Sequence, residues 1–388
     1  MMKFRLIPIL VVLFNLALYA QSGRIKPPDA PPSQIKGLQQ GDAFFPYLYL
    51  SDAFPVVKDE ADAKDKIEKY TRVIELNKDD VAVAYNDRAV IYADTGKFDL
   101  ALADLDKALA SHQNDAVVLN NQGYILTKMG HLDEALAKFN KCLEISPNDV
   151  YPLGNRASVF EQANEFEAAL LDLNKAIALE PKLPILFNNR GMIYLAVGDL
   201  ARSSNDLEKA IELDPKLGLA YSNLGYNYNL QGDFQRSVTT LTKAISIDPR
   251  SAMAYANRGL SYYRLGKFND AFGDFNTAIE LDPKLAKAYN NRASIYVDRK
   301  EFAAAKRDTD KAIELDPHDP YSYNTRGNVY MNLGQWNLAI ADYTKALEIH
   351  PKLIMCYQSR AIAYDELGDK TKAAADRKKY QEMSGDPR

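Results

Sequence analysis

The sequence predicts an all-α fold, a solenoid of antiparallel helix pairs stacked along one axis. Three observations carry that expectation. Prolines recur at 147, 181, 215, 249, 283, 317 and 351, an interval of 34 residues each time. Glycines stand at a second fixed place: Gly96, Gly130, Gly198, Gly232, Gly266, Gly334 and Gly368. Between them, small and bulky residues recur in one order. A period of this length reads as one helix pair that cannot bury its apolar face alone and leans on the next pair. The length of 388 residues therefore demands no division into several globular domains.

The chain opens with a different kind of segment. Lys3 and Arg5 precede an apolar run of 15 residues, Leu6 to Ala20. A membrane-spanning helix needs ~20 apolar residues, and this run ends in the small Ala20, as a cleaved secretory signal does. Residues 1–20 are expected to be a signal peptide, and the protein to be exported, periplasmic or extracellular, with no stable membrane span after cleavage. Leu18 at the −3 place is larger than the ideal, which leaves an uncleaved signal anchor as the alternative. Residues 21–42 hold two Pro-Pro pairs and read as a Pro-rich tether of polyproline II character. Residues 43–81 begin with an aromatic cluster, Phe44, Phe45, Tyr47, Tyr49 and Phe54. Tyr70, Val73, Ile74 and Leu76 then match the packing positions of a repeat's second helix. This region is expected to be a degenerate half-repeat that caps the first apolar edge.

Nine full units follow over residues 82–388, starting at Ala82, Ala116, Val150, Pro184, Gly218, Ala252, Ala286, Pro320 and Ile354. Position 8 of the unit is Gly or Ala, as at Gly123, Gly191, Gly259 and Ala293. Position 20 is Ala or Ser, and position 27 is Ala except at Cys142 and Tyr380. Small residues there let two helices approach closely, while bulky ones at positions 4, 11, 17 and 24 fill the gaps. Position 15 is Gly in seven units, the left-handed residue that follows a helix, with Asn164 and Lys300 as the exceptions. Asp319 before Pro320 reads as an N-cap followed by proline at the first helical position. In the last unit Lys370 and Arg377 take positions 17 and 24, polar where no further unit covers the helix.

Small residues at positions 8, 20 and 27, aromatic or Leu at 4, 11, 17 and 24, and Pro at 32 together resemble the tetratricopeptide repeat (TPR) family. The resemblance covers Ala82 to about Asp386. It implies a right-handed superhelix in which the first helix of each pair lines a concave groove. It also implies a scaffold for a protein or peptide partner rather than a catalyst.

Composition narrows the partners. The 48 basic and 52 acidic residues give a net charge of −4, and loss of Lys3 and Arg5 with the leader would give −6. A nucleic-acid binder needs a basic stripe, so nucleic acid is not an expected ligand. The two cysteines, Cys142 and Cys356, lie too far apart along a rod-like fold for the ~7 Å reach of a disulfide. Cys142 stands where other units bury an alanine and reads as a small core residue.

Two further patterns single out side chains. Position 7 is Arg and position 23 Asp in seven units: Arg88 with Asp104, Arg156 with Asp172, Arg190 with Asp206, Arg258 with Asp274, Arg292 with Asp308, Arg326 with Asp342, and Arg360 with Asp376. Where one changes so does the other, to Gln122 with Lys138 and to Leu224 with Thr240. Joint loss implies contact, so these pairs are expected to be structural staples within each unit.

The opposite face of the first helix, positions 2, 5, 6, 9, 12 and 13, carries Asn at position 6 in six consecutive units: Asn121, Asn155, Asn189, Asn223, Asn257 and Asn291. Asn costs ~0.7 kcal/mol relative to Ala inside a helix, so the row calls for another use. A carboxamide both donates and accepts, which suits the backbone of an extended peptide. The row is similar to the asparagine ladder of the O-linked N-acetylglucosamine transferase superhelix, whose catalytic domain has no counterpart here. Tyr124, Tyr226, Tyr263 and Met192 stand around it and complete the expected groove-binding set, with Tyr321 on the same face. The alternatives are an envelope glycan or peptidoglycan ligand on the same groove, or amides that only link neighbouring units.

Charges on this face are few and mixed, among them Asp94, Lys128, Glu161, Arg264, Lys287 and Asp298. No adjacent units supply the Lys, Arg and Asn cluster of an Hsp-type carboxylate clamp. The four histidines, His112, His131, His318 and His350, show no metal-ligand spacing, and the acidic residues isolate no acid–base couple. No enzyme, metal or cofactor is expected.

Overall fold

The computed structural model describes residues 59–76, 81–111 and 113–384. The expected signal peptide, the Pro-rich tether and the aromatic cluster lie outside the described residues. Within them the fold is all-helical: nineteen α-helices pack in consecutive pairs, and no strand is present. None of these helices is long and apolar enough to cross a membrane.

Helix α1 (Glu60–Leu76) precedes the repeats and packs on the first of them, in the place of a second helix. The first helices of the nine units are α2 (Val81–Asp94), α4 (Ala116–Met129), α6 (Val150–Gln162), α8 (Pro184–Ala196), α10 (Gly218–Gln231), α12 (Ala252–Arg264), α14 (Ala286–Asp298), α16 (Pro320–Asn332) and α18 (Ile354–Glu366). Their partners are α3 (Phe98–Ser111), α5 (Leu132–Ile145), α7 (Phe166–Leu179), α9 (Leu200–Leu213), α11 (Phe234–Ile247), α13 (Phe268–Leu281), α15 (Phe302–Leu315), α17 (Trp336–Ile349) and α19 (Lys370–Ser384). The chain divides into two compact units at Asn223/Leu224. Each is a run of helix pairs with its own core.

Asp or Ser starts several of these helices. Asp115 accepts from the backbone N–H of Val117 at 2.9 Å and of Val118 at 3.2 Å, and Asp319 accepts from Tyr321 at 3.1 Å and Ser322 at 2.9 Å. Both satisfy amides that the first turn leaves without intrahelical acceptors. The turn between paired helices needs one left-handed residue. Its φ is +68° at Gly334 and +81° at Gly130, and Asn164 and Lys300 adopt the same conformation at +61°. After that residue the chain closes back on the helix, as where Glu301 donates to the Tyr296 carbonyl at 2.8 Å. Lys300 holds this geometry at a cost of about 1 kcal/mol that glycine does not bear.

Packing inside a pair is set by position 8 against position 24. A Cβ on Gly123 would lie 2.6 Å from the Phe139 ring, on Gly259 2.7 Å from Phe275, and on Gly327 2.6 Å from Tyr343. Those three rings are fully buried. Where position 8 is alanine (Ala89, Ala157, Ala293, Ala361), position 24 is Leu105, Leu173, Thr309 or Arg377, none of them aromatic. Aromatic rings thus face glycine only, while leucine faces alanine in two pairs and glycine in two others, Gly191 with Leu207 and Gly225 with Leu241. Cys142 is buried and donates its thiol to the Ala116 carbonyl at 3.2 Å. Lys370 and Arg377 on α19 are exposed, and Arg377 pairs with Asp365.

Candidate functional site

The arginine–aspartate pairs take one geometry in both compact units. In each of the seven, the arginine Nε and Nη2 donate side by side to the two carboxylate oxygens. The distances are 2.8 and 2.8 Å from Arg258 to Asp274, 2.7 and 2.9 Å from Arg292 to Asp308, and 2.8 and 2.8 Å from Arg326 to Asp342. The carboxylates of Asp274, Asp308 and Asp342 are buried within their helix pairs. The remaining arginine nitrogen, Nη1, reaches back to the preceding unit: to Asn140 from Arg156 at 2.7 Å, to Asn174 from Arg190 at 2.7 Å, to Thr242 from Arg258 at 3.1 Å, and to Asp310 from Arg326 at 2.8 Å. Thr71 of α1 receives Arg88 in the same way at 2.8 Å. Aromatic rings at positions 4 and 11 flank the guanidinium, as Tyr255 and Tyr262 do for Arg258 at 5.5 and 5.7 Å. Hydrogen bonding to Asp274 raises the Arg258 pKa above its ordinary value. Each arginine thus ties its own pair together and ties that pair to the one before.

Arg258→Ala is expected to lower stability by about 1–2 kcal/mol, since it leaves the buried Asp274 without its fork. Chemical denaturation of the full chain checks it. An equally stable variant that fails to bind a partner would assign Arg258 to recognition instead.

The inner-face asparagines divide into two groups. In residues 59–223 they bond to each other: Asn121 Nδ2 donates to Asn86 Oδ1, Asn155 Nδ2 to Asn120 Oδ1 and Asn223 Nδ2 to Asn188 Oδ1, each at 2.9 Å. Every such bond spans 35 residues, joining position 6 of one unit to position 5 of the unit before. At Asn189 the preceding position 5 is Gly154, which has nothing to offer, and Asn189 Oδ1 accepts from Asn188 at 3.2 Å instead. The side chains of Asn121, Asn155, Asn189 and Asn223 are all buried. In residues 224–384, position 5 ahead of Asn291 is Ala256, and no rung forms. The carboxamides of Asn257 and Asn291 make no hydrogen bond to any described residue. Asn257 keeps 9% of its surface exposed, and Asn291 is half-buried.

The remaining predicted side chains also differ in access. Met192 is only 1% exposed, so it is a core residue and offers no contact surface; the sequence expectation is corrected on this point. Tyr124 is half-buried with Lys128 over its ring at 5.6 Å. Tyr226 and Tyr263 are half-buried on the inner face of residues 224–384. Tyr226 lies close enough to Tyr321, three units on, for burial and that phenol to push its pKa up. Tyr263 donates to Asp298 Oδ2 at 2.9 Å, again across 35 residues. Arg264 stacks on Phe234 at 5.0 Å, and burial lowers its pKa. The Lys287 amine is brought down to about 8 by burial, against the pull of Asp319 and Asp316.

The inner face of residues 224–384 therefore gathers three phenols, two uncommitted carboxamides and two desolvated cations. Sequence reading placed all of them on one face. It did not foresee which amides the neighbouring unit engages, although the residue at position 5 of that unit was there to be read.

Profiles of the tetratricopeptide repeat match residues 80–148, 186–217, 252–285, 286–319 and 320–353, and a TPR repeat profile matches 225–266. The chain belongs to the tetratricopeptide repeat family. The profile boundaries at 252, 286 and 320 coincide with unit starts read from the prolines. Among curated proteins, none matches this TPR chain in sequence. Solved structures are similar in fold. A chain of the APC/C hetero-tetramer Cut9-Hcn1 superposes with a TM-score of 0.62 at 16% identity, over 84% of this chain and 64% of that one. A tetratricopeptide repeat protein from Parabacteroides merdae ATCC 43184 superposes with a TM-score of 0.51 at 23% identity, over 68% of this chain and 99% of that one. This TPR chain thus spans less than two thirds of the first of these relatives.

Proposed function

We propose that this TPR protein is a non-catalytic interaction scaffold whose residues 224–384 hold an extended segment of a partner protein on their inner face. The observation that supports this reading is the pair Asn257 and Asn291. Their carboxamides spend no hydrogen bond on any described residue and share the inner-face positions of the repeat with Tyr226, Tyr263 and Tyr321. A peptide backbone alternates donor and acceptor along its length, and spaced amides meet both. Phenols add large contact area at small entropy cost. The leader expected at residues 1–20 puts the partner, in the same reading, outside the cytoplasm.

Photo-crosslinking from Tyr321, replaced by a benzophenone amino acid in the exported protein, would identify the occupant by mass spectrometry. Asn257→Ala/Asn291→Ala is expected to fold as the wild type does and to bind that occupant about tenfold more weakly, the loss of two neutral hydrogen bonds. Unchanged affinity would remove the amides from the site. A captured glycan in place of a protein would turn the reading to the carbohydrate alternative.

A further inference from the structure

One carboxylate on the inner face of residues 59–223 has no counterpart. Glu161 occupies position 12 of its unit, in the last turn of α6. The same 35-residue register that joins Tyr263 to Asp298 sets Glu161 against Ala196, a methyl group. Glu161 Oε2 is out of contact with solvent and has no hydrogen-bond partner among the described residues. Loss of hydration pushes its carboxyl up to about 7, with no charged group among the described residues acting on it.

The sign of this place is reinforced by the backbone. The carboxyl end of a helix carries a partial negative charge and favours a cation. Two first helices carry such a cation in their last turn, Lys128 in α4 and Arg264 in α12, while α2, α14 and α18 end on Asp94, Asp298 and Glu366; Lys66 offsets Asp94 and the Tyr263 hydroxyl donates to Asp298. α6 ends on Glu161 and Gln162, so acid and helix end add to the same negative field. A carboxylate oxygen closed to solvent is costly unless it is paired, and none of the described residues pairs Oε2.

We propose that Glu161 is a subsite for an organic cation, the guanidinium or ammonium of a basic side chain carried by a bound peptide. The subsite deepens the scaffold reading and rests on it for the peptide, but it lies in the other compact unit and is testable without one. A lysine or arginine side chain has the reach to bring its charge to the carboxylate while its backbone follows the inner face.

The test reads Glu161 directly. The full chain is labelled with 13C at the glutamate carboxyl carbons, and the Glu161 resonance is assigned by its loss in Glu161→Gln. Its titration is followed from about pH 5 to about pH 9 in n-butylguanidinium, n-butylammonium or sodium chloride at equal ionic strength. Either organic cation is expected to lower the midpoint by about half a unit or more relative to sodium. A guanidinium preference would indicate arginine, and an ammonium preference lysine. Equal midpoints in all three salts would overturn the subsite, whatever the fate of the crosslinking at Tyr321.

Discussion

Glu161→Gln is expected to be more stable than the wild type by about 3 kcal/mol above neutrality and about equal to it near pH 4. The wild-type carboxyl holds its proton up to about pH 7 in the folded chain and to 4.5 as its ordinary value. Between those values the folded state binds the extra proton, so wild-type stability falls as pH rises through the window and levels off above it. A displacement of this size corresponds to ~3 kcal/mol. Since Asp87 and Asp94 are also raised by burial, the readout is the difference between wild type and variant at each pH, in urea. A difference that does not vary with pH would mean that Glu161 ionises freely.

Gly259→Ala is expected to lose about 2–3 kcal/mol, because the new methyl meets the fully buried Phe275 ring where backbone and side chain are already in contact. Phe275→Leu alone should lose about 1–2 kcal/mol through the cavity it opens. The double variant recreates the Ala157/Leu173 combination of the third unit, and its loss should fall well short of the sum. Additive losses would show that position 8 and position 24 do not constrain each other.

The fold was legible because one message is repeated nine times. Proline, glycine and small-residue positions each have a local cause, and every copy imposes the same one. The contact of Arg292 with Asp308, or of Arg326 with Asp342, could be read from the units that lack it, where Leu224 accompanies Thr240 and Gln122 accompanies Lys138 in the sequence. The partner of the third arginine nitrogen was not foreseen, because Asn140, Thr242 and Asp310 differ in type, although each offers a side-chain oxygen at the same position of its unit. The inner face was legible as a surface and not as a site. Asn155 and Asn291 look alike within their own units, and only the residue one unit earlier, Asn120 or Ala256, decides whether the amide is engaged. Met192 misled for a related reason. Position 9 holds Tyr124 and Leu260 half-exposed, yet the same place in α8 is covered by its neighbours.

The 35-residue rungs bear on how such a chain changes length over generations. Each rung joins two addresses that occur once per unit, so a gene that loses or copies one whole unit returns the same addresses to the same distance. Excision of residues 150–183 would set Asn189 where Asn155 now stands, opposite Asn120, and restore a rung at the joint where Gly154 denies it. Loss or gain of anything other than a whole unit breaks the rung that spans the event, while rungs on either side keep their 35-residue spacing. Growth and shrinkage in steps of one helix pair are therefore the heritable changes this architecture forgives.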